Sequence, residues 1–246
     1  YRLIWSIEMK QYLKPVAAVL AIGMASAANA APILSISGQG ASAASAAEAA
    51  FLGSAQSGYI TENFDYGSYS VGTQAGTINS VAGVGSFTRV TPGSGGLCDT
   101  GSYDCDDGLA VLDAATTPFN GRFAVSPDNW LDSMDAMEMT ISPTAGYNAI
   151  GFYMTDPNDA GGRFSIGGVD FSFTDVFGSS LGNGKVYYIT LFDAAGLDDI
   201  SIYSNNPDDG YGLDDVTIAN VAEPGTLALL ALGVFGLGMA RRRQKA

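Results

Sequence analysis

Carboxylates are the reactive groups this sequence offers in number. Residues 31 to 222 carry 23 aspartates and glutamates against Arg89, Arg122, Arg163 and Lys185, a net of minus 19, and the 246-residue chain has no histidine. The missing imidazole excludes a Ser-His-Asp triad, a Cys-His pair and histidine-bearing zinc sites, and leaves carboxylate chemistry. A body so acidic repels nucleic acid and anionic lipid, so no nucleic-acid partner is expected. Two acidic groups offer the hard oxygen ligands that suit calcium. One is Asp156, Asn158 and Asp159 in a single turn; the other is Asp208, Asp209, Asp214 and Asp215 near the last strand. The same residues also stabilise turns by bonding their own backbone, and both readings stand at this level. Within "LDDV" strand alternation sends one of Asp214 and Asp215 outward, so the other needs a metal, an arginine or backbone amides.

Two more specific calcium patterns fail. Asp104 and Asp106 have EF-hand spacing, but Gly108 falls at the fifth loop position instead of the sixth. "DGYGLDDVT" resembles one calcium-binding nonapeptide, and a β-roll needs several in tandem. The two cysteines, Cys98 and Cys105, enclose "DTGSYD". In an exported protein this spacing predicts a disulfide, contributing about 2.5 kcal/mol at best and pinning a surface loop. No catalytic constellation is recognisable.

The elements that must position these side chains read as strands. From Tyr59 onward, short β-branched and aromatic runs alternate with Gly, Asn, Asp and Pro clusters. "VDFSFTDVF" alternates Val169, Phe171 and Phe173 against Asp170, Ser172 and Thr174. Gly167-Gly168 before it suits a two-residue hairpin. "AMEMTIS" alternates through Met137, Met139 and Ile141. With "GYITENF", "GSFTRV", "GLAVLD", "GRFAV", "YNAIGFYMT", "KVYYITLF", "DDISIYS" and "LDDVTIAN", the pattern predicts ten or eleven short strands. That is an all-β, antiparallel β-sandwich, most simply jelly-roll-like, over residues 59–220. Phe152, Phe171, Phe173, Tyr187 and Ile189 are expected in the core, whereas Trp130, Tyr153, Tyr203 and Tyr211 could be packed or could form sugar platforms.

The ends have a different character. Residues 1–8 read as an upstream extension and 9–30 as a signal peptide: Lys10 and Lys14, an apolar run from Val16 to Ala28, and a signal peptidase site between Ala30 and Ala31. Residues 31–58 are an Ala/Ser/Gly-rich lead-in, expected flexible, with scope for a helix over 41–52. Residues 221–246 form a tail of three parts: Glu223-Pro224-Gly225, an apolar stretch Thr226 to Ala240 and the cluster Arg241, Arg242, Arg243. The 15 apolar residues would make a helix of about 22 Å, a marginal single transmembrane span of the inner membrane. The arginines then serve as a stop-transfer signal on its cytoplasmic side.

This order of motif, apolar helix and terminal arginines resembles the PEP-CTERM sorting signal of Gram-negative bacteria, with Ala222 where the usual Pro-Glu-Pro has its first proline. The resemblance implies recognition and removal of the tail by a membrane protease, exosortase, after transient insertion in the inner membrane. "AIGFYMTDPNDAGGRFSI" and "DDGYGLDDVTI" also resemble strands of the β-sandwich proteins that often precede such tails. The expected protein is an exported, non-catalytic β-sandwich of the cell envelope or extracellular polysaccharide matrix, structural or glycan-contacting. The alternatives are a carboxylate-dependent polysaccharide-degrading enzyme on a jelly roll and a self-associating adhesive matrix protein.

Overall fold

The computed structural model describes residues 31–94, 103–104, 107–157, 162–177 and 184–222. The expected signal peptide, the Ala30 side of its cleavage site, Cys98, Cys105, Asn158, Asp159 and the tail from Glu223 onward lie outside the described residues. Among the described residues no helix is long and apolar enough to cross a membrane.

Fourteen strands are described, all paired antiparallel, in two sheets. The first sheet holds β1 (Ile33–Ile36), β2 (Ala55–Glu62), β3 (Gln74–Ala75), β6 (Leu109–Asp113), β7 (Asn129–Asp132), β9 (Ala149–Thr155), β12 (Val186–Phe192) and β14 (Gly212–Val221). The second holds β4 (Thr77–Asn79), β5 (Gly85–Thr91), β8 (Glu138–Pro143), β10 (Gly162–Ile166), β11 (Val169–Ser172) and β13 (Ile200–Ser204). Their orders are β1-β12-β9-β14-β7-β6-β3, with β2 also on β14, and β11-β10-β13-β8-β5-β4. From β7 to β14 the chain passes repeatedly from one sheet to the other. Consecutive strands therefore end up face to face, with the core between them.

That core follows from alternation. Ile150, Phe152 and Met154 of β9, with Ile189 and Leu191 of β12 and Ile218 of β14, meet Phe87, Met139, Ile141, Phe164 and Ile202 from the second sheet. Gly167 and Gly168 have φ of 56° and 76°, the left-handed values needed by the two-residue β10–β11 hairpin. One predicted strand is cut short. "VDFSFTDVF" is extended only through Ser172, and Phe173–Phe177 turns into a helix, α2. Helical spacing brings Phe173 and Phe177 edge to face at 5.2 Å and puts both beside Phe164, which a continuing strand could not do.

Residues 31–58, expected as a flexible lead-in, are part of the body. Ile33–Ile36 adds the edge strand to β12, and Ala41–Ser54 forms a helix, α1, over the outer face of the first sheet. Alanine is the best helix former and lets backbones approach closely. Ala44 and Phe51 are buried against Ala149, Tyr153, Tyr188 and Ala219. Glu48, the one charge in the helix, accepts a 2.6 Å hydrogen bond from the Tyr153 hydroxyl. Gly151 makes the fit possible: a Cβ there would lie 2.4 Å from the Tyr188 hydroxyl and 2.9 Å from the Phe51 ring. Gly151→Ala is therefore expected to overpack the helix–sheet contact and cost about 1–3 kcal/mol, measured as a lower urea midpoint.

Candidate functional site

Among the described residues, the acidic groups singled out in the sequence have separate partners within the fold. Asp209 pairs with Arg122 at 2.9 Å, and Asp208 accepts from the Ser94 hydroxyl. Asp156 has φ 58° and accepts from the Gly184 amide at 2.8 Å. Asp214 is buried and accepts from the amides of Val125 (2.6 Å), Ser126 (2.8 Å) and Asp215 (2.8 Å), and from the Ser126 hydroxyl. Asp214 thus takes backbone amides from among the partners its burial demanded. Among the described residues no group of three or more His, Cys, Asp or Glu is placed to hold a metal ion.

A shared device explains three of the buried carboxylates. Phe64, Met134 and Asp215 sit in the left-handed region with φ of 59°, 53° and 45°, uncommon for residues with a side chain. In each case a nearby buried acid accepts that residue's amide at 2.8 Å: Glu62 for Phe64, Asp132 for Met134 and Asp214 for Asp215. At Asp214–Asp215 the device sits at a fork. β14 pairs with β7 through Leu213 and with β2 from Val216, while its register against β9 shifts between Asp214 and Thr217. Asp214 fills the gap and ties the 125–126 loop to the sheet.

The second centre is Arg122, which the sequence reading passed over. Its buried guanidinium meets Asp132 at 3.0 Å, Asp209 at 2.9 Å and Asp135 at 3.9 Å, donates to the Met134 carbonyl and lies over the Phe119 ring. Trp130 donates its indole N–H to Asp132. Trp130, Tyr153 and Tyr211, possible sugar platforms by sequence, are therefore packed: each is 2% exposed or less. Tyr203 is partly exposed, with the Arg163 guanidinium 3.8 Å from its ring centre.

Removing Arg122 would strand Asp132 and its neighbours as uncompensated buried charge. Arg122→Ala should cost about 3–5 kcal/mol in urea unfolding. The acids also set a pH dependence. Burial pushes Asp135 up to about 6, with Arg122 opposing and neighbouring aspartates adding. Burial and then Glu48 push Asp215 up to about 6. A carboxyl raised above its unfolded value near 4 contributes stability that is fully present below that value and lost as pH rises through the folded one. The urea midpoint should accordingly fall as pH rises from about 4 to about 7, and Asp135→Asn with Asp215→Asn should flatten that slope.

The third feature is the way out of the body. Ile33 pairs with Phe192, Phe192 with Ala149 and Ala149 with Ala219. The first residues after the expected signal cleavage and the last residues before the tail therefore leave from one end of the sheet, three strand spacings or about 14 Å apart. An apolar groove of about 430 Å³ opens there between α1 and β1–β12, with Phe51, Phe192, Val221 and Ala222 among its walls.

Comparison with known proteins identifies the tail. The PEP-CTERM protein-sorting motif matches residues 220–244. Nothing among the curated proteins matches the chain. Among solved structures it is similar to the K2 cleaved adhesin domain of Lys-gingipain, at 15% identity over 67% of this chain and 99% of that one, with a TM-score of 0.35. At that score the likeness carries no argument. The matched segment covers Glu223-Pro224-Gly225, the apolar stretch and all three arginines, and it implies export with exosortase as processing partner. The chain carries a PEP-CTERM protein-sorting motif at residues 220–244.

Proposed function

We propose that the protein is an exported, non-catalytic structural component of the cell envelope or its extracellular polysaccharide matrix: a jelly-roll-like sandwich released from the inner membrane by exosortase. The sorting motif at 220–244 carries this reading. The body supports it in two ways. Its buried acids are engaged with backbone amides or with Arg122, which is the use expected of scaffold groups. Ile33 and Ala219 lie at the same end of the first sheet, which suits a body whose signal peptide and sorting tail are both removed at the membrane.

The test is the intact mass of protein recovered from the native cell surface or medium, compared with a strain lacking the sorting protease. The expected product starts at Ala31 and has lost the residues beyond the Glu223-Pro224-Gly225 region only where the protease is present. Arg241–Ala246 retained in both strains would make the tail an ordinary anchor and overturn the reading.

A further inference from the structure

The last bonded residue of β14 is held by a side chain. At the start of β9 the main chain is already engaged elsewhere: the Asn148 carbonyl accepts from the Asp193 amide at 2.9 Å, and the Tyr147 carbonyl from the Leu197 amide at 2.9 Å. Neither is left to continue the ladder on β14 beyond Ala219. The Asn148 amide replaces them. Its Oδ1 accepts from the Val221 N–H at 2.8 Å and its Nδ2 donates to the Val221 carbonyl at 2.9 Å. A carboxamide carries one acceptor and one donor group on a planar frame, as a peptide does, so it can close both bonds at once. On the other side of β14, Val221 is paired with Ala55 of β2. The sheet therefore stays closed up to Val221, and only Ala222 lies between it and Glu223.

We propose that Asn148 is a positioning residue for tail removal, acting as a brake. This rests on the sorting reading above. A strand bonded along both edges has no free edge to offer another protein. Glu223 follows Val221 by two residues, a reach of at most about 7 Å, so a closed clamp leaves exosortase little chain to draw on before the motif. Exosortase gains the residues before the motif when Val221 lets go of Asn148, and the clamp sets how often that happens. Each hydrogen bond lost shifts such an opening equilibrium about fivefold.

The experiment follows tail loss over time by intact mass in an exosortase-bearing host. Asn148→Ala should speed removal at least about fivefold. Asn148→Asp keeps the acceptor and loses the donor; it should give a smaller gain and serves if the alanine variant does not fold. Asn220→Ala removes the neighbouring bond to the Gly146 carbonyl, leaves both Asn148–Val221 bonds in place, and should leave the rate unchanged. Gly-Ser-Gly-Ser inserted after Ala222 should speed removal in the unsubstituted protein and abolish any further effect of Asn148→Ala. The proposal is overturned if both Asn148 variants are processed at the unsubstituted rate or slower. It is equally overturned if their acceleration persists with the insertion, since that would be a general loosening of the fold. Failure of every variant to lose its tail, the insertion included, would instead sink the sorting reading.

Discussion

Charge scarcity governs how this body is built. It has 23 carboxylates and four cations, so most acids have no cationic partner to neutralise them. An unsatisfied buried carboxylate is costly, and the donors in good supply are backbone amides. Glu62, Asp132 and Asp214 each accept the amide of a left-handed residue close by. The acid gains a donor, and a backbone conformation that would otherwise be strained is held in place. These points are where strands turn, bulge or change partners, so satisfying the acids and shaping the sheets are one and the same interaction. Arg122 handles the place where several acids meet.

β14 shows what this achieves. Running between β9 on one side and β7 then β2 on the other, it could not be continuous on both edges without the kink at Asp214–Asp215. The kink lets β2 join, which brings the chain back from α1, and α1 covers the outer face of the sheet. That face would otherwise expose Tyr153, Tyr188 and Phe192, an apolar patch of the kind soluble surfaces avoid. The strand that organises the body also leads directly into the sorting segment.

Much of the scaffold was legible in the residues. Period-two alternation located β8, where Met139 and Ile141 face the core, whereas short β-branched and aromatic runs between turn signals located β9, β12 and β14, which are buried along most of their length. The tail was legible for a different reason: its signal is linear, and a protease and a bilayer read it as residues in order. Alternation misled at Phe173, where "FTDVF" satisfies both a strand and a single helical turn. The pairing of Phe173 with Phe177 around Phe164 decided between them. Composition misled over residues 31–58, since alanine-rich sequence is compatible with a loose linker or with a helix packed close on a sheet. Gly151, about a hundred residues away, makes the second possible.

By itself, then, the sequence determined the address, the class of fold and the exclusion of histidine chemistry, because each depends on residue type, local period or linear order. Tertiary structure alone decided the roles of individual acids and aromatics. Asp214 and Asp215 are adjacent, yet one staples a loop and the other takes the left-handed bend. Trp130 and Tyr211 look like binding platforms in the sequence and are buried about Arg122, a residue no motif marks. Burial, partner identity and the placing of Ile33 and Ala219 at one end of the sheet depend on contacts between residues far apart in the chain, and no local pattern encodes them.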